Sequence, residues 1–170
     1  MTEKRETVVA LLGQPNSGKS TLFNALTGLK QHVGNWPGKT VEKAEVSFSY
    51  NGEKYTITDL PGSYGLTGNS DEEKITANYI KTNQADLICI LVDTSQLERS
   101  MFLLAEFASL DANAILILNM MDVAQKQGKK IDSQKLPEKL CIPVLPFTAA
   151  EKKRLWKTER TYQARIKQSA

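Results

Sequence analysis

One short segment of the sequence has residue types and spacing suited to binding phosphate. Residues 13–20 read Gly-Gln-Pro-Asn-Ser-Gly-Lys-Ser and fit the pattern G-x-x-x-x-G-K-[ST]. Glycines in such a loop let backbone N–H groups approach phosphate oxygens, and the helix that follows turns its positive end toward the anion. Lys19 can reach the β- and γ-phosphates of a nucleoside triphosphate, and the Ser20 hydroxyl can bind Mg²⁺. The predicted nucleotide contacts in this segment are Gly13, Asn16, Ser17, Gly18, Lys19, Ser20 and Thr21.

Two later segments contain groups that could complete a magnesium site. Asp59 begins the string Asp-Leu-Pro-Gly directly after a predicted strand. A carboxylate there can hold Mg²⁺, usually through water, and the N–H of Gly62 can sense the γ-phosphate. Thr40 lies in the first long loop, where its hydroxyl can join the Mg²⁺ shell when a triphosphate is bound. The alternatives are a simple turn for Asp-Leu-Pro-Gly and a solvated loop residue for Thr40.

A third motif favours guanine over adenine as the base. Residues 119–122 read Asn-Met-Met-Asp and fit N-x-x-D. The carboxylate of Asp122 can accept hydrogen bonds from N1–H and the 2-amino group of guanine, whereas adenine would leave this charge unpaired. Met120 can cover the base, and the backbone of Thr148 and Ala149 is predicted to contact guanine O6. Taken alone, N-x-x-D including Asn119 would more often be a helix cap.

The elements between these motifs predict an α/β three-layer sandwich with a mostly parallel six-stranded sheet and one antiparallel edge strand. Apolar runs at 86–93 and 114–119 suit central parallel strands buried on both faces. Asn51-Gly52 between two shorter runs predicts a hairpin, which supplies the antiparallel strand. The segment 31–40 predicts a loop. The predicted strands are 7–12, 45–50, 54–58, 86–93, 114–119 and 142–147. Two helices are predicted at 19–27 and 71–82, the second with Asp71 as its cap. A third helix is predicted from the spacing of Leu97, Met101, Leu104 and Ala108 on one face.

Length and composition predict one ordinary domain followed by a basic segment. The chain has 170 residues, 41% hydrophobic and 24% charged, with a net charge of +3 that is too mild to indicate nucleic acid as a partner. Residues 1–150 are predicted to form the nucleotide-binding domain, and 151–170 a basic helix. Apolar runs are too short to span a bilayer, so we expect the chain as given to be soluble and cytoplasmic. Cys89 in an apolar run predicts a buried, reduced thiol.

The sequence also resembles a known family. Residues 34–43, Gly-Asn-Trp-Pro-Gly-Lys-Thr-Val-Glu-Lys, closely resemble the first switch of the ferrous iron transport protein B (FeoB) family. Segments 59–64, 97–99 and 119–122 are similar to the same family, and the similarity runs from about Val8 to Thr148. The resemblance implies a GTP-binding domain that hydrolyses GTP slowly, with GDP released fast, and couples or gates Fe²⁺ uptake.

Further features follow from this resemblance. In the family a helical domain and a transmembrane iron permease follow the G domain, so these domains and guanine nucleotide are the implied partners, at the cytoplasmic face of the bacterial inner membrane. Oligomeric state stays open. The resemblance also implies K⁺, held by Asn16, phosphate oxygens and backbone carbonyls near Gly34 and Trp36. Such a cation would offset developing charge, as an arginine finger does elsewhere. The alternative for Asn16 is a loop-stabilising hydrogen bond.

Departures from related patterns keep two other functions open. Ser63 stands where Ras-like enzymes have a water-orienting Gln, so turnover is expected to be slow. Gly65 stands where the family suggests Ser, and the sequence after Ala149 lacks the family's closing turn. The residues predicted to act in hydrolysis are those given above for the phosphates, Mg²⁺ and K⁺, namely Lys19, Asn16, Thr40 and Gly62. An RNA-associated GTPase and a nucleotide-binding module with negligible hydrolysis are the alternatives. Trp36 is expected to be mobile and exposed, with a contact to a partner as the alternative.

Overall fold

The computed structural model of the chain describes residues 6–27, 32–50 and 52–147. Thr148, Ala149 and the basic segment 151–170 therefore lie outside the described residues, and the predictions made for them stay predictions. Within the described part of the chain, every helix is too short or too polar to cross a bilayer.

A central sheet of seven strands occupies the described residues, in the order β2-β3-β4-β1-β5-β6-β7. Strands β4, β1, β5, β6 and β7 run parallel, and β3 is antiparallel to both β2 and β4. The strands are β1 (Thr7–Gly13), β2 (His32–Asn35), β3 (Glu42–Tyr50), β4 (Glu53–Asp59), β5 (Leu87–Asp93), β6 (Ala114–Asn119) and β7 (Val144–Pro146). The expected mostly parallel fold with an antiparallel side is confirmed.

The strand count differs from the expected six because the segment 31–40 is not only loop. Residues 32–35 form β2, which pairs with β3 through His32 opposite Glu45 and Asn35 opposite Glu42. The polar composition and Gly34 of this segment suggested a loop, since the segment lacks an apolar face of its own. Its backbone groups are nevertheless satisfied by the free edge of β3. Strand pairing of this kind depends on a neighbour and leaves little trace in the local sequence.

Helices cover both faces of the sheet, which explains the continuous apolar runs of the central strands. The helices are α1 (Lys19–Thr27), α2 (Asp71–Lys81), a 3₁₀ turn (Thr94–Gln96), α3 (Leu97–Phe107), α4 (Met121–Lys126) and α5 (Leu136–Leu140). Successive residues of β1 point to opposite faces. Ala10 and Leu12 belong to the core cluster that includes Leu103 of α3, and Leu11 belongs to the cluster that includes Phe23 of α1. The sheet is thus enclosed between two apolar layers.

Three local predictions need correction. Ser70, not Asp71, caps α2, because its hydroxyl accepts a hydrogen bond of 3.1 Å from the N–H of Glu73. Met101 of α3 is 40% exposed, since the buried face of this helix is formed by its neighbours Ser100, Leu103, Leu104 and Phe107. Cys89 is half-buried rather than fully buried.

Candidate functional site

The phosphate loop, residues 13–20, joins the end of β1 to the start of α1. The backbone N–H of Ser17 donates to the carbonyl of Gln14 at 3.2 Å, which closes a tight turn. Asn16 and Gly18 within this turn have φ of 65° and 89°, in the left-handed region that glycine and asparagine tolerate best. The turn therefore needs these residue types for its backbone shape, in addition to any contact with phosphate.

Lys19 and Asp59, which the motifs predicted separately, are direct partners. The ammonium of Lys19 donates a hydrogen bond to Oδ1 of Asp59, and both side chains are largely buried. They meet because β1 and β4 are paired in parallel with Leu11 opposite Asp59, so that both chain segments leave the sheet at the same edge. The predicted phosphate-binding cation and the predicted magnesium carboxylate thus share one site.

Electrostatics at this pair are dominated by burial. Burial raises the pKa of the Asp59 carboxyl above its ordinary value, the charge and hydrogen bond of Lys19 pull it down, and the nearby Glu42 raises it slightly. The net direction is upward. A partly desolvated carboxylate of this kind is favourable only beside positive charge, whether ammonium or metal.

The residues present fit Mg²⁺. The Ser20 hydroxyl and the Asp59 carboxylate are hard oxygen donors, and Mg²⁺ is usually bound by one or two carboxylates together with substrate phosphates. The described residues contain no group of three or more His, Cys, Asp or Glu side chains that could hold a metal by themselves. A magnesium site here would therefore depend on the nucleotide for its remaining ligands.

The segment after β4, residues 59–66, is fixed to the phosphate loop by backbone hydrogen bonds. Leu60 N–H donates to Leu11 O at 3.0 Å, and Ser63 N–H donates to Gly13 O at 3.1 Å. A Cβ added to Gly62 would lie 3.3 Å from the backbone nitrogen of Pro15. The predicted γ-phosphate sensor Gly62 therefore packs directly on the phosphate loop.

Ser63 is turned away from any role in orienting water. Its side chain is 1% exposed, and its hydroxyl lies 3.1 Å from Pro61 O and 3.2 Å from Oγ1 of Thr76 in α2. The position that carries Gln in Ras-like enzymes is used here to attach the loop to α2.

Glu106 of α3 is a second anchor of this segment that sequence reasoning missed. Its Oε2 accepts a hydrogen bond of 2.5 Å from the N–H of Leu66. A Cβ on Gly65 would lie 2.6 Å from the same oxygen and 2.9 Å from Cε1 of Phe102. Glycine at position 65, where the family suggests Ser, is matched to this close approach of α3. The only indication of this contact in the sequence was the presence of Gly65 where the family suggests Ser.

The N-x-x-D motif lies beside the phosphate loop at the end of β6. The Asn119 amide donates from Nδ2 to Ser17 O at 3.0 Å. Met120 has a left-handed φ of 60°, and the chain turns there into α4. Asp122 lies in the first turn of α4 and is exposed to solvent. Asn119 thus joins the predicted base-binding and phosphate-binding motifs, and Asp122 is accessible to a base.

The first switch segment, defined here as residues 32–43 so that it includes all of β2, contacts α2. Trp36 is only 7% exposed and contacts Tyr79 of α2 edge to face, with ring centroids 5.6 Å apart at 85°. The backbone N–H of Trp36 donates to Val41 O at 2.9 Å, and its backbone carbonyl accepts from Lys39 N–H at 3.0 Å. The expectation of an exposed Trp36 is wrong, because α2 offers an apolar surface for the indole ring; its expected mobility stays a prediction.

The contacts of the predicted switch ligands in this structure lie outside the phosphate loop. Gly34 lies in β2 and Thr40 in the following turn, and both are exposed. Among the described residues, no hydrogen bond joins the first switch segment to residues 13–20. The predicted K⁺ contacts of Gly34 and Trp36 and the predicted Mg²⁺ contact of Thr40 stay predictions.

A phosphate loop after β1, a carboxylate at the end of the paired strand β4 and an N-x-x-D motif after β6 together define a G domain of the P-loop GTPase class. The family model described as ferrous iron transport protein B matches residues 7–161. The chain belongs to this family. The match favours the iron-transport interpretation over an RNA-associated GTPase.

Curated relatives and solved structures agree with this assignment. The chain is 43% identical over 149 residues to the Fe(2+) transporter FeoB of Escherichia coli strain K12, covering 85% of this chain and 19% of the relative. The same identity and coverage hold for the Fe(2+) transporter FeoB of Salmonella typhi. The chain thus spans about a fifth of the length of the curated relatives it matches.

Among solved structures, the G domain of the T. maritima FeoB iron transporter is similar with a TM-score of 0.83 and 40% identity, covering 94% of this chain and 99% of that one. The FeoB G domain of Methanococcus jannaschii gives a TM-score of 0.78 at 41% identity, with 92% and 97% covered. The T. maritima cytosolic domain in its GMPPNP form gives 0.82 at 42% identity, with 89% and 61% covered.

Proposed function

We propose that this chain binds GTP with Mg²⁺ and hydrolyses it slowly, as the switch domain of a ferrous iron transporter. The observation that carries the proposal is the pairing of Lys19 with Asp59 beside a phosphate loop that Asn119 connects to the base-binding motif. Similar cytosolic domains from T. maritima exist in GDP and GMPPNP forms, which supports guanine nucleotide as the ligand.

Each residue of the site has a distinct task in this proposal. Lys19 exchanges Asp59 for the β- and γ-phosphates, and the N–H of Gly62 donates to the γ-phosphate. Asp122 accepts from guanine. Ser20 and Asp59 hold Mg²⁺, which when bound neutralises charge on the phosphate oxygens. The backbone of Thr148 and Ala149 contacts guanine O6.

A monovalent cation is the proposed activator. Asn16 lies in the phosphate loop with its left-handed backbone, and K⁺ would be held by its side chain and by the carbonyls of Gly34 and Trp36. The segment that carries Gly34 and Trp36 packs on α2 in this structure, and we expect it to leave these contacts when K⁺ binds. The same movement would bring Thr40 toward Mg²⁺. Hydrolysis then depends on a conformational step as well as on the bound cation.

The larger context of the domain is also part of the proposal. Residues 1–150 form the G domain, and 151–170 lead toward a helical domain and a transmembrane permease. In that arrangement the domain works at the cytoplasmic face of the membrane and couples or gates Fe²⁺ uptake, with no nucleic acid partner.

The test is phosphate release from GTP in KCl and in NaCl at equal ionic strength. We expect faster release in KCl for the unaltered chain and no such gain for Asn16→Ala. Asn113→Ala, which changes an exposed asparagine remote from the motifs, is the matched control and should keep the gain. Equal rates in both salts, with GTP still bound, would contradict the cation mechanism.

A second candidate function has one observation in its favour. The Ser63 hydroxyl is buried against Pro61 and Thr76, so no side chain at this position can orient water. A domain that binds GTP and signals by binding alone would show saturable GTP affinity without phosphate release at any K⁺ concentration.

A further inference from the structure

A cavity of about 380 Å³ lies between the first switch segment and α2. We call it the switch cavity. It is lined by Trp36, Pro37, Lys39, Lys43, Lys74, Ile75, Asn78, Tyr79 and Gln84. None of these side chains belongs to the phosphate loop, to the segment 59–66 or to the N-x-x-D motif. Its volume is in the range of small-molecule sites.

The inner wall of the switch cavity is apolar and well ordered by packing. Trp36 and Tyr79 are 7% and 4% exposed and hold each other edge to face. Ile75, one turn earlier on α2, packs against the same core cluster. An apolar body of a ligand placed here would cover the small exposed part of these two aromatic side chains together with the half-buried Ile75.

The rim of the cavity is cationic. Lys39 pairs with Asp71 at 2.8 Å and Lys43 with Glu45 at 2.7 Å, but neither carboxylate lines the cavity. All four side chains are about one third exposed or more. Exposed pairs of this kind are worth at most about 1 kcal/mol, so Lys39 can turn to another anion at small cost. The Lys43 ammonium also lies 5.3 Å from the centroid of the Trp36 ring, so it stays at the rim beside the aromatic wall.

Lys74 is the lysine best placed to bind an anion. Among the described residues, no carboxylate lies within ion-pair distance of its ammonium. Its stem packs against Gly68, where an added Cβ would lie 3.4 Å from Cγ of Lys74. The side-chain amides of Asn78 and Gln84 add hydrogen-bond donors to the same lining.

We propose that the switch cavity binds a small organic anion. Its apolar body lies against Trp36 and Tyr79, and its carboxylate or phosphate group binds Lys74 with help from Lys39 and Lys43. The combination of an aromatic wall with a lysine rim selects an amphipathic anion over both inorganic ions and neutral aromatic compounds.

Occupation of the cavity has a consequence for the switch. Trp36, Lys39 and Lys43 belong to the first switch segment, and Lys74 and Tyr79 belong to α2. The cavity exists only while these two elements are packed together, so a ligand within it favours that arrangement. It would therefore oppose movement of Thr40 and Trp36 toward the nucleotide and slow hydrolysis. This regulatory part rests on the proposed function.

Binding is tested first, on the full chain without nucleotide, with 2-naphthoate as the probe and the neutral 2-naphthamide as its uncharged analogue. Nitrogen–proton NMR follows the indole signal of Trp36. The chain has two tryptophans, so the indole signal that remains in Trp156→Phe belongs to Trp36. We expect saturable shifts with naphthoate and much weaker ones with naphthamide. Equal affinity for the two compounds, or no saturation at millimolar concentration, would overturn the proposal.

A pair of variants on one helix tests the role of Lys74. Lys74→Gln and Lys81→Gln make the same charge change on α2, but only Lys74 lines the cavity. Lys74→Gln should weaken naphthoate binding at least about three-fold and Lys81→Gln less than about two-fold. Equal effects would mean that general surface charge, not this cavity, attracts the anion.

Hydrolysis is measured separately from binding, so that the result for the switch cavity does not depend on whether the chain hydrolyses GTP. Naphthoate should slow phosphate release from GTP in the unaltered chain and do so less in Lys74→Gln, while naphthamide leaves the rate unchanged. Lys74-dependent binding with an unaltered rate would overturn the regulatory part. Absence of hydrolysis before any naphthoate is added would refute the proposed function, and the NMR result would still decide the binding site.

Discussion

The Asn119 side chain donates a 3.0 Å hydrogen bond to the backbone carbonyl of Ser17, a residue 102 positions earlier in the chain. This bond joins the end of β6 to the phosphate loop. A Cβ on Gly18 would lie only 2.2 Å from the same Nδ2 atom. The base-binding and phosphate-binding motifs therefore depend on each other for their shape.

Removal of this bond should loosen both motifs. We expect Asn119→Ala to lower the free energy of unfolding by about 1 kcal/mol and to weaken guanine nucleotide binding at least about five-fold, since Ser17 O loses its partner. Urea unfolding and nucleotide titration measure the two effects. Asn113→Ala is the control, because its amide lies 3.5 Å from Asp86 O at an exposed position. Similar losses in both variants would show that the Asn119 contact has no special importance.

Gly18→Ala should be more damaging than glycine replacement elsewhere at similar φ. Gly18 and Gly128 have φ of 89° and 73°, but only Gly18 has a neighbour within 4 Å of an added Cβ. We expect Gly128→Ala to cost about 1 kcal/mol from backbone strain alone, and Gly18→Ala about 2–4 kcal/mol because the Asn119 amide must also move.

The same comparison in an Asn119→Ala background separates strain from collision. There the extra cost of Gly18→Ala should shrink toward that of Gly128→Ala, as measured by urea unfolding of each variant. If the extra cost persists in full, the collision with Asn119 is not its cause.

Tyr79 should make the protein sensitive to high pH. Burial raises the pKa of the Tyr79 hydroxyl above its ordinary value, with smaller effects of Thr58 and nearby charges. A raised folded-state pKa gives stability that is complete below about pH 10 and is lost as the pH rises from there through the folded-state value. Tyr79→Phe should remove this component, up to about 1.4 kcal/mol per pH unit in that window.

Urea unfolding at several pH values above neutrality measures this effect. Tyr64→Phe is the control, since Tyr64 is 51% exposed, and it should follow the unaltered chain. An alkaline slope that is the same in Tyr79→Phe and in the unaltered chain would contradict the prediction.

Gly65 and Glu106 should be coupled. Gly65→Ala places a Cβ 2.6 Å from the Glu106 oxygen that Leu66 N–H binds. We expect this change to lower the free energy of unfolding by about 1–2 kcal/mol, and clearly less in a Glu106→Ala background. A double-mutant cycle by urea unfolding gives the coupling energy. A value near zero would mean that the two residues adjust independently.

Much of the nucleotide site was predictable from the sequence. Lys19, Ser20, Asp59, Asn119 and Asp122 were predicted from three motifs, and their roles toward a nucleotide stay predictions. The structure places β1, β4 and β6, which carry or precede these motifs, in parallel, so that their carboxyl ends lie at the same edge of the sheet. The parallel strands themselves were visible as continuous apolar runs.

Only the tertiary structure determined how the first switch segment packs and how the segment 59–66 is attached to α2 and α3. β2 pairs with the next strand, β3, although its own sequence has no apolar face. The contact of Trp36 with Tyr79 and the hydrogen bond from Leu66 to Glu106 join segments far apart in the chain. A sequence motif identifies residues whose side chains and local backbone can bind a ligand. Which distant surface a Trp or a Glu finds depends on how whole elements pack, and that packing leaves no local signature.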